Sequence, residues 1–417
     1  MKFLFILFSL SFSVLSADLD LHLNDLEALV KQNLSELKAA QIRITQSRLG
    51  RDVQMADFSF RADITSSYSL LTSSQDNFSF GYSPNSDERF SNALQISHYL
   101  YGFGRKKWIE AEASSNIDFA RTQEKILTRN LVFKARLNFW STLFAKASGD
   151  IAQQRLKLRL EEETDTKSLY EAGTLNRVDL LQSQVNALQS RNLLRQSTSR
   201  IQQNLRDLAA SIGNQSDLIK TKGDLLKAKD LAKLFTELKN QLHSSYEISS
   251  LQINSAQSTS RIKQLDSFNK PELVGYGSVG TEGFSSHEHD DGWQVGVSLN
   301  WNLFDSRKRH NRQLIEHANI QANSHSIQAE VRERRRIYQG LHDEWTGLMD
   351  QLDNQALALM LAEENYTIAR DQFRAGLLTL TQVSDVNLQF FENKFRLISL
   401  FYQSQIIKEN LNFLLHQ

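Results

Sequence analysis

The chain has 417 residues, 48 basic against 48 acidic, no cysteine and only two prolines, Pro84 and Pro271. Zero net charge removes the electrostatic case for a nucleic-acid partner, and the lack of cysteine excludes disulfides, thiolate catalysis and thiolate metal sites. Average usage of about 5% would give roughly 20 prolines, so a chain this poor in helix breakers can carry very long helices.

Lys2 followed by the apolar run Phe3 to Leu15 and the small residues of Val14-Leu15-Ser16-Ala17 reads as a secretory signal peptide over 1–17, cleaved after Ser16 or Ala17. The run is too short to span a membrane. No later apolar run is long enough to do so as a helix, so any membrane span must be a barrel.

From Leu19 to about Asp57, Leu26, Leu29, Val30, Leu34, Leu37 and Ile42 recur at helical steps. Asn24 is the expected N-cap, with Glu27 at capping-box spacing. The period then becomes two: Phe60, Ala62, Ile64, Ser66, Tyr68 and Leu70 alternate with polar neighbours, predicting a strand. A polar loop with Asp76, Asn77, Gly81 and Pro84 leads to a second strand from about Phe90 to Tyr101. Arg105 to Ala172 reads as one helix of about 100 Å, ending on an Ala-Gly stop signal. A return helix follows, with sevens at Leu181, Leu188, then Leu194, Ile201 and Leu208.

The same order then repeats. A helical stretch runs from about Leu231 to Phe268, then a glycine-rich strand from Leu273 to Thr281 and a polar loop holding His287-Glu288-His289-Asp290-Asp291. The next strand is the cleanest, with Trp293, Val295, Val297, Leu299, Trp301 and Leu303 on one face. A second long helix spans Arg307 to Ala375. Its return helix shows sevens at Val383, Phe390, Leu397, then Leu400, Ile407 and Leu414, a coiled-coil spacing with a phase slip. The strand ends Leu100-Tyr101-Gly102-Phe103 and Leu303-Phe304-Asp305-Ser306 correspond. Gly173 follows Leu100 at the same interval at which Gly376 follows Leu303. Such self-similarity marks an internal duplication. The division is a first repeat over 18–215 (hairpin about 59–101, tip near 173), a connector over 216–230, and a second repeat over 231–417 (hairpin about 272–304, tip near 376).

Strands of this length and alternation suit a membrane barrel. Four cannot close one when the smallest have about eight, and open edges are not viable in lipid. Protomers must therefore pool their hairpins, two giving 8 strands and three giving 12. The fold class is mainly α with a membrane β-barrel: a long coiled-coil helical barrel plus four strands per protomer. A competing reading is a periplasmic structural or adhesive coiled-coil protein without a pore.

The duplicated strand ends and the turns Tyr170-Glu171-Ala172-Gly173-Thr174-Leu175 and Phe373-Arg374-Ala375-Gly376-Leu377-Leu378 resemble those of the TolC-like outer-membrane efflux proteins, over nearly all of the mature chain. The resemblance implies a homotrimer with one 12-stranded barrel in the outer membrane of a Gram-negative bacterium, extending into the periplasm, with the connector in its equatorial region. It also implies a passive exit duct for efflux or type I secretion. Gly173, Thr174, Leu175, Gly376, Leu377 and Leu378 would dock a periplasmic adaptor serving an inner-membrane pump of the resistance-nodulation-division or ABC type. Asp179, Gln382 and Asp385 would line the periplasmic aperture, where a threefold Asp385 ring would favour cations. Gln382, Leu378 and Phe373 stand where the well-known type member has an acid, an arginine and a tyrosine, so its polar locks are reduced. Trp293, Val295, Val297, Leu299 and Trp301 would face outer-membrane lipid.

No cofactor or metal is implied. The run His287 to Asp291 holds suitable ligand types but on a flexible loop. Arg332-Glu333-Arg334-Arg335-Arg336 reads as a solvated helix wall. Gly102-Phe103-Gly104 lacks the third glycine of a dinucleotide fingerprint, and no Walker A, nucleophile-elbow or zinc-protease motif occurs, so the chain is not expected to be an enzyme.

Overall fold

A computed structural model describes residues 19–72, 86–214, 219–284 and 289–415. The expected signal peptide, the expected loop with Asp76 to Pro84, and His287-Glu288 lie outside the described residues. In chain order the elements are β1 (Leu19–Leu21), α1 (Leu26–Asn33), α2 (Ser35–Ala56), β2 (Phe60–Thr72), β3 (Ser86–Tyr101), α3 (Arg105–Glu171), α4 (Arg177–Ser211), β4 (Ile219–Thr221), α5 (Leu231–Asn240), α6 (Tyr246–Ser267), β5 (Glu272–Phe284), β6 (His289–Asn300), α7 (Lys308–Arg374) and α8 (Leu380–Leu415). Two compact units result. One holds the described residues up to Lys38, Lys125–Ser245 and Val331 onward; the other holds Ala39–Glu124 and Tyr246–Glu330.

The second unit contains an antiparallel sheet of order β2-β3-β5-β6. Each strand of a hairpin pairs with its partner and β3 pairs with β5, so the two repeats meet at the sheet centre. β2 and β6 are left as edges. Among the described residues no helix is long and apolar enough to cross a membrane.

The first unit is built on apolar seams. Leu21, Leu26, Val30, Leu34 and Leu37 pack on Ala135 and Phe139 of α3 and on Leu208 and Ile212 at the end of α4. Leu231, Phe235 and Leu238 of α5, spaced four and three apart, pack on Leu341, Leu348 and Leu352 of α7 and on Leu400, Ile407 and Leu411 of α8. Each buried Leu, Ile, Val or Phe among them contributes about 1.5–3 kcal/mol.

Several sequence expectations are corrected here. The segment from Leu19 is not one helix: β1 pairs in parallel with β4, a strand inside the expected connector, because Leu21 and Ile219 are both buried in this core. The first cap is His22 with Asp25, around a short 3-10 turn, in place of Asn24 with Glu27. Leu34 is extended and divides α1 from α2; it turns its side chain into the core, whereas Ile42 is exposed. The stretch from Leu231 is also two helices. Where α5 stops, the carbonyls of Gln241 and Leu242 accept from Arg334 of α7 at 3.4 and 3.2 Å, which satisfies acceptors the helix no longer uses. Arg334 is therefore buried, and the arginine run is not a uniformly solvated wall. β6 begins at His289, so part of the expected polar loop is strand, and it ends at Asn300, short of Trp301 and Leu303.

The sevens of α8 form its buried seam: Val383, Phe390, Leu400, Ile407 and Leu414 are buried and Leu397 is half-buried. Those of α4 do not. Leu181 and Leu188 are exposed, and the inward side carries Ser183, Ala187 and Ser190. Small side chains let the helices approach closely, leaving the leucines on the outside of the protomer.

Candidate functional site

Register decides what each sheet face carries, because residues directly opposite across a ladder share a face. Ile64 sits opposite Leu94, Leu94 opposite Val279, and Val279 opposite Trp293. Ile96, Gly277 and Val295 form the next row, and Leu273 opposes Leu299. In these rows one face is apolar across all four strands, and it is open, with Ile64, Trp293 and Val295 exposed by 82, 79 and 78%. The opposite face carries Thr65, Ser67, Ser91, Gln95, Ser278 and Gln294. Val295, Val297 and Leu299 therefore share one exposed apolar face with Trp293. Trp301 lies beyond the strand end, exposed, with its Nε1 donating to the Asn269 carbonyl at 3.1 Å.

The strand-to-helix joints use one device twice. Phe103 and Gly104 have φ of 52 and 86°, and Ser306 and Arg307, their counterparts in the second repeat, have φ of 54 and 66°. Two successive left-handed residues turn the chain from strand into helix, at a steric cost wherever the residue is not glycine. Asp305 then caps α7, its Oδ2 accepting from the Arg309 backbone N at 3.0 Å and from Arg309 Nε at 2.6 Å.

The hairpin tips are also built alike. Gly173 N donates to the Tyr170 carbonyl and Thr174 N to that of Leu169; Gly376 N donates to Phe373 and Leu377 N to Gln372, all at 2.9–3.0 Å. These are Schellman stops, which need a left-handed residue at the glycine position; Gly173 and Gly376 have φ of 75 and 73°. The return helices open on matched caps at corresponding places in the two repeats, Asn176 with Asp179 and Thr379 with Gln382. Leu175 and Leu378 are not projecting knobs: they pack against Phe373, Leu380 and Val383. Leu377 is the exposed one, at 75%, and Gly173, Thr174 and Gly376 are exposed as well. Phe373 is 1% exposed, so this position contributes apolar packing to the tip.

Of the expected aperture residues, Asp179 and Gln382 spend their side chains on those caps. Asp385 is exposed and makes no hydrogen bond or ion pair among the described residues. A polar network not anticipated from sequence lies deeper. Arg159 and Glu162 of α3, 5 and 6% exposed, pair at 2.7 Å. Ser384 Oγ of α8 donates to Glu162 at 2.8 Å and accepts from Arg159 at 2.9 Å and from Asn186 of α4 at 3.3 Å. Burial pushes the Glu162 carboxyl above its usual range, against the opposing pull of Arg159 and Ser384. An Arg-Glu pair three apart ordinarily reads as a surface pair, so only packing could reveal it. Arg374 of α7 also reaches Asp165 of α3 at 2.7 Å.

A family model for outer membrane efflux proteins matches residues 238–416, the second repeat from the end of α5 onward. The family match is thus to the second repeat. Solved structures carry the same fold over both repeats. CusC superposes with a TM-score of 0.78 at 16% identity, over 95% of this chain and 92% of that one. The outer membrane protein VceC of Vibrio cholerae gives 0.76 at 15%, over 94 and 96%. The CmeC outer membrane channel of Campylobacter jejuni gives 0.77 at 12%, over 94 and 85%. A search of curated proteins by sequence returns no match. The shared fold is the one expected from the sequence, long helices with four strands per chain.

Proposed function

We propose that this chain is an outer-membrane channel of the efflux protein family, the passive exit duct of a tripartite efflux or type I secretion assembly. In this reading three copies close one barrel, and the hairpin tips dock a periplasmic adaptor that joins the duct to an inner-membrane pump. The observation that carries it is the four-stranded sheet, apolar on one face and open at both β2 and β6. Open edges cost several kcal/mol per unpaired group in lipid, so β6 of one copy must pair with β2 of the next, and three copies give 12 strands. Val178, Leu181, Val185 and Leu188 form an exposed apolar stripe along α4, which supports helix packing between copies as well. α3 and α7 have 67 residues each, about 100 Å of helix, long enough for a periplasmic wall.

Lipid would cover Trp293, Val295, Val297 and Leu299, with Trp301 at the membrane edge, where tryptophan is favoured. Leu377, with Gly173, Thr174 and Gly376, supports adaptor docking, while Leu175 and Leu378 hold the tips in shape. Asp385 is the aperture residue with a free carboxylate. The reading is tested by Leu377→Asp in a deletion strain: dye efflux or protein secretion should fall to the deletion level while the assembled channel stays in the membrane. Full transport by that variant refutes docking through this tip. Single-channel recording of Asp385→Ala tests the aperture, where unchanged conductance and unchanged block by divalent cations would reject the role.

A further inference from the structure

We propose that the barrel's periplasmic rim carries a binding site for the phosphate of an anionic phospholipid headgroup. It requires only that the sheet lies in a membrane, and not that the tips dock an adaptor. Where β5 begins, β6 ends and α3 and α7 start, an open cavity of about 810 Å³ is lined by five cations, Arg105, Lys270, Lys308, Arg309 and Arg312, and by two carboxylates, Glu272 and Asp305.

The two carboxylates are already used. Glu272 pairs with Arg105, and Asp305 with Arg309 at 2.6 Å. Arg309 is further held by the carbonyls of Phe268 and Asn302 at 2.6 and 3.0 Å. Lys270, Lys308 and Arg312 are exposed and make no ion pair among the described residues. Arg105 adds a buried Nε that has no acceptor among them.

The placement of these charges works against local stability. Neither α3 nor α7 has an acidic residue in its first turn. They open instead on Arg105-Lys106-Lys107 and Lys308-Arg309-His310. A helix N-terminus carries positive partial charge and disfavours cations, yet both repeats keep them at corresponding positions. Asp305 offsets part of that conflict at the start of α7, and an anion bound at the rim relieves what remains. Leu299 and Trp301 line the same cavity, and Leu299 belongs to the exposed apolar face of the sheet. A ligand there meets cations at one end and an apolar wall at the other. Phosphate with attached acyl chains fits both; a free phosphate uses only the first.

The test uses the assembled channel in nanodiscs and in detergent, comparing dioleoyl-phosphatidylglycerol with dioleoyl-phosphatidylethanolamine by native mass spectrometry and thermal shift. Each basic residue near an anionic surface favours it severalfold, so three free cations should give a preference for phosphatidylglycerol of roughly tenfold or more. Lys270→Gln/Lys308→Gln/Arg312→Gln should abolish it. Lys308→Gln alone should reduce it severalfold and keeps the question answerable if the triple variant assembles poorly. Lys106→Gln/Lys107→Gln, off the cavity, should leave most of it. Equal retention of both lipids overturns the proposal, as does a preference that survives the triple variant. Stabilisation by inorganic phosphate equal to that by the lipid would make the site one for free anions and overturn the headgroup assignment.

Discussion

Replacing Arg159 by leucine leaves the Glu162 carboxylate among buried groups with only Ser384 Oγ, 2.8 Å away, as a partner. Breaking a buried pair from one side costs about 3–5 kcal/mol, because the remaining charge is uncompensated. The sign with pH follows from the carboxyl itself. Burial already raises its pKa in the folded chain, so the folded state holds this proton to higher pH than the unfolded chain does. Stability contributed by the protonated form is therefore present at low pH and lost as pH rises through the folded pKa. Losing Arg159 removes a pull that lowers this pKa and widens the effect. Arg159→Leu should thus be less destabilising at pH 5 than at pH 8. Arg159→Leu/Glu162→Leu should recover most of the loss at both, since an apolar pair of similar volume replaces the ions. The assay is loss of helical circular dichroism with guanidinium in detergent, for wild type and the two variants at both pH values. A loss below about 1 kcal/mol at pH 8, or one equal at both pH values, would show that Glu162 is not held as a buried ion and would refute the reasoning.

Gly173→Ala and Gly376→Ala should each cost about 1 kcal/mol, seen as a lower thermal midpoint. No atom crowds a Cβ at Gly173 and the nearest at Gly376 is 3.7 Å away, so the cost is one of backbone conformation alone. Conversely, Arg307→Gly should stabilise by a few tenths to about 1 kcal/mol, because Arg307 holds φ of 66°; unfolding midpoints in detergent would show it. Val295→Arg on the apolar face should cost about 2–4 kcal/mol and deplete assembled channel from outer-membrane fractions. Gln294→Arg, its neighbour on the polar face, should assemble normally and change conductance.

The duplication, the strand alternation and the Ala-Gly stops were legible because each is a local rule: period, cap chemistry or spacing. For this reason the start of β2 and the ends of α3 and α7 fell within a residue or so of expectation. Other boundaries moved for tertiary reasons. β1 exists only because β4, remote in the chain, offers it an edge and a shared core. α5 and α6 are separate because Arg334 on a distant helix takes the carbonyls at the break. At the tip, one Leu-Leu pair has divided roles: Leu377 is exposed and Leu378 packs inward.

Local pattern was enough to lay out the plan of this chain: two copies of helix, hairpin, long helix and return helix, with an alternating sheet and glycine-stopped tips. Those features follow from periodicity and backbone preference, which act over a few residues at a time. Which charges are free was settled by packing instead. Asp179 and Gln382 became caps, Arg159 and Glu162 became a buried pair, and Lys270, Lys308 and Arg312 were left facing solvent at the rim. A side chain's charge is written in the sequence, but its burial and its partners arise only when distant segments meet.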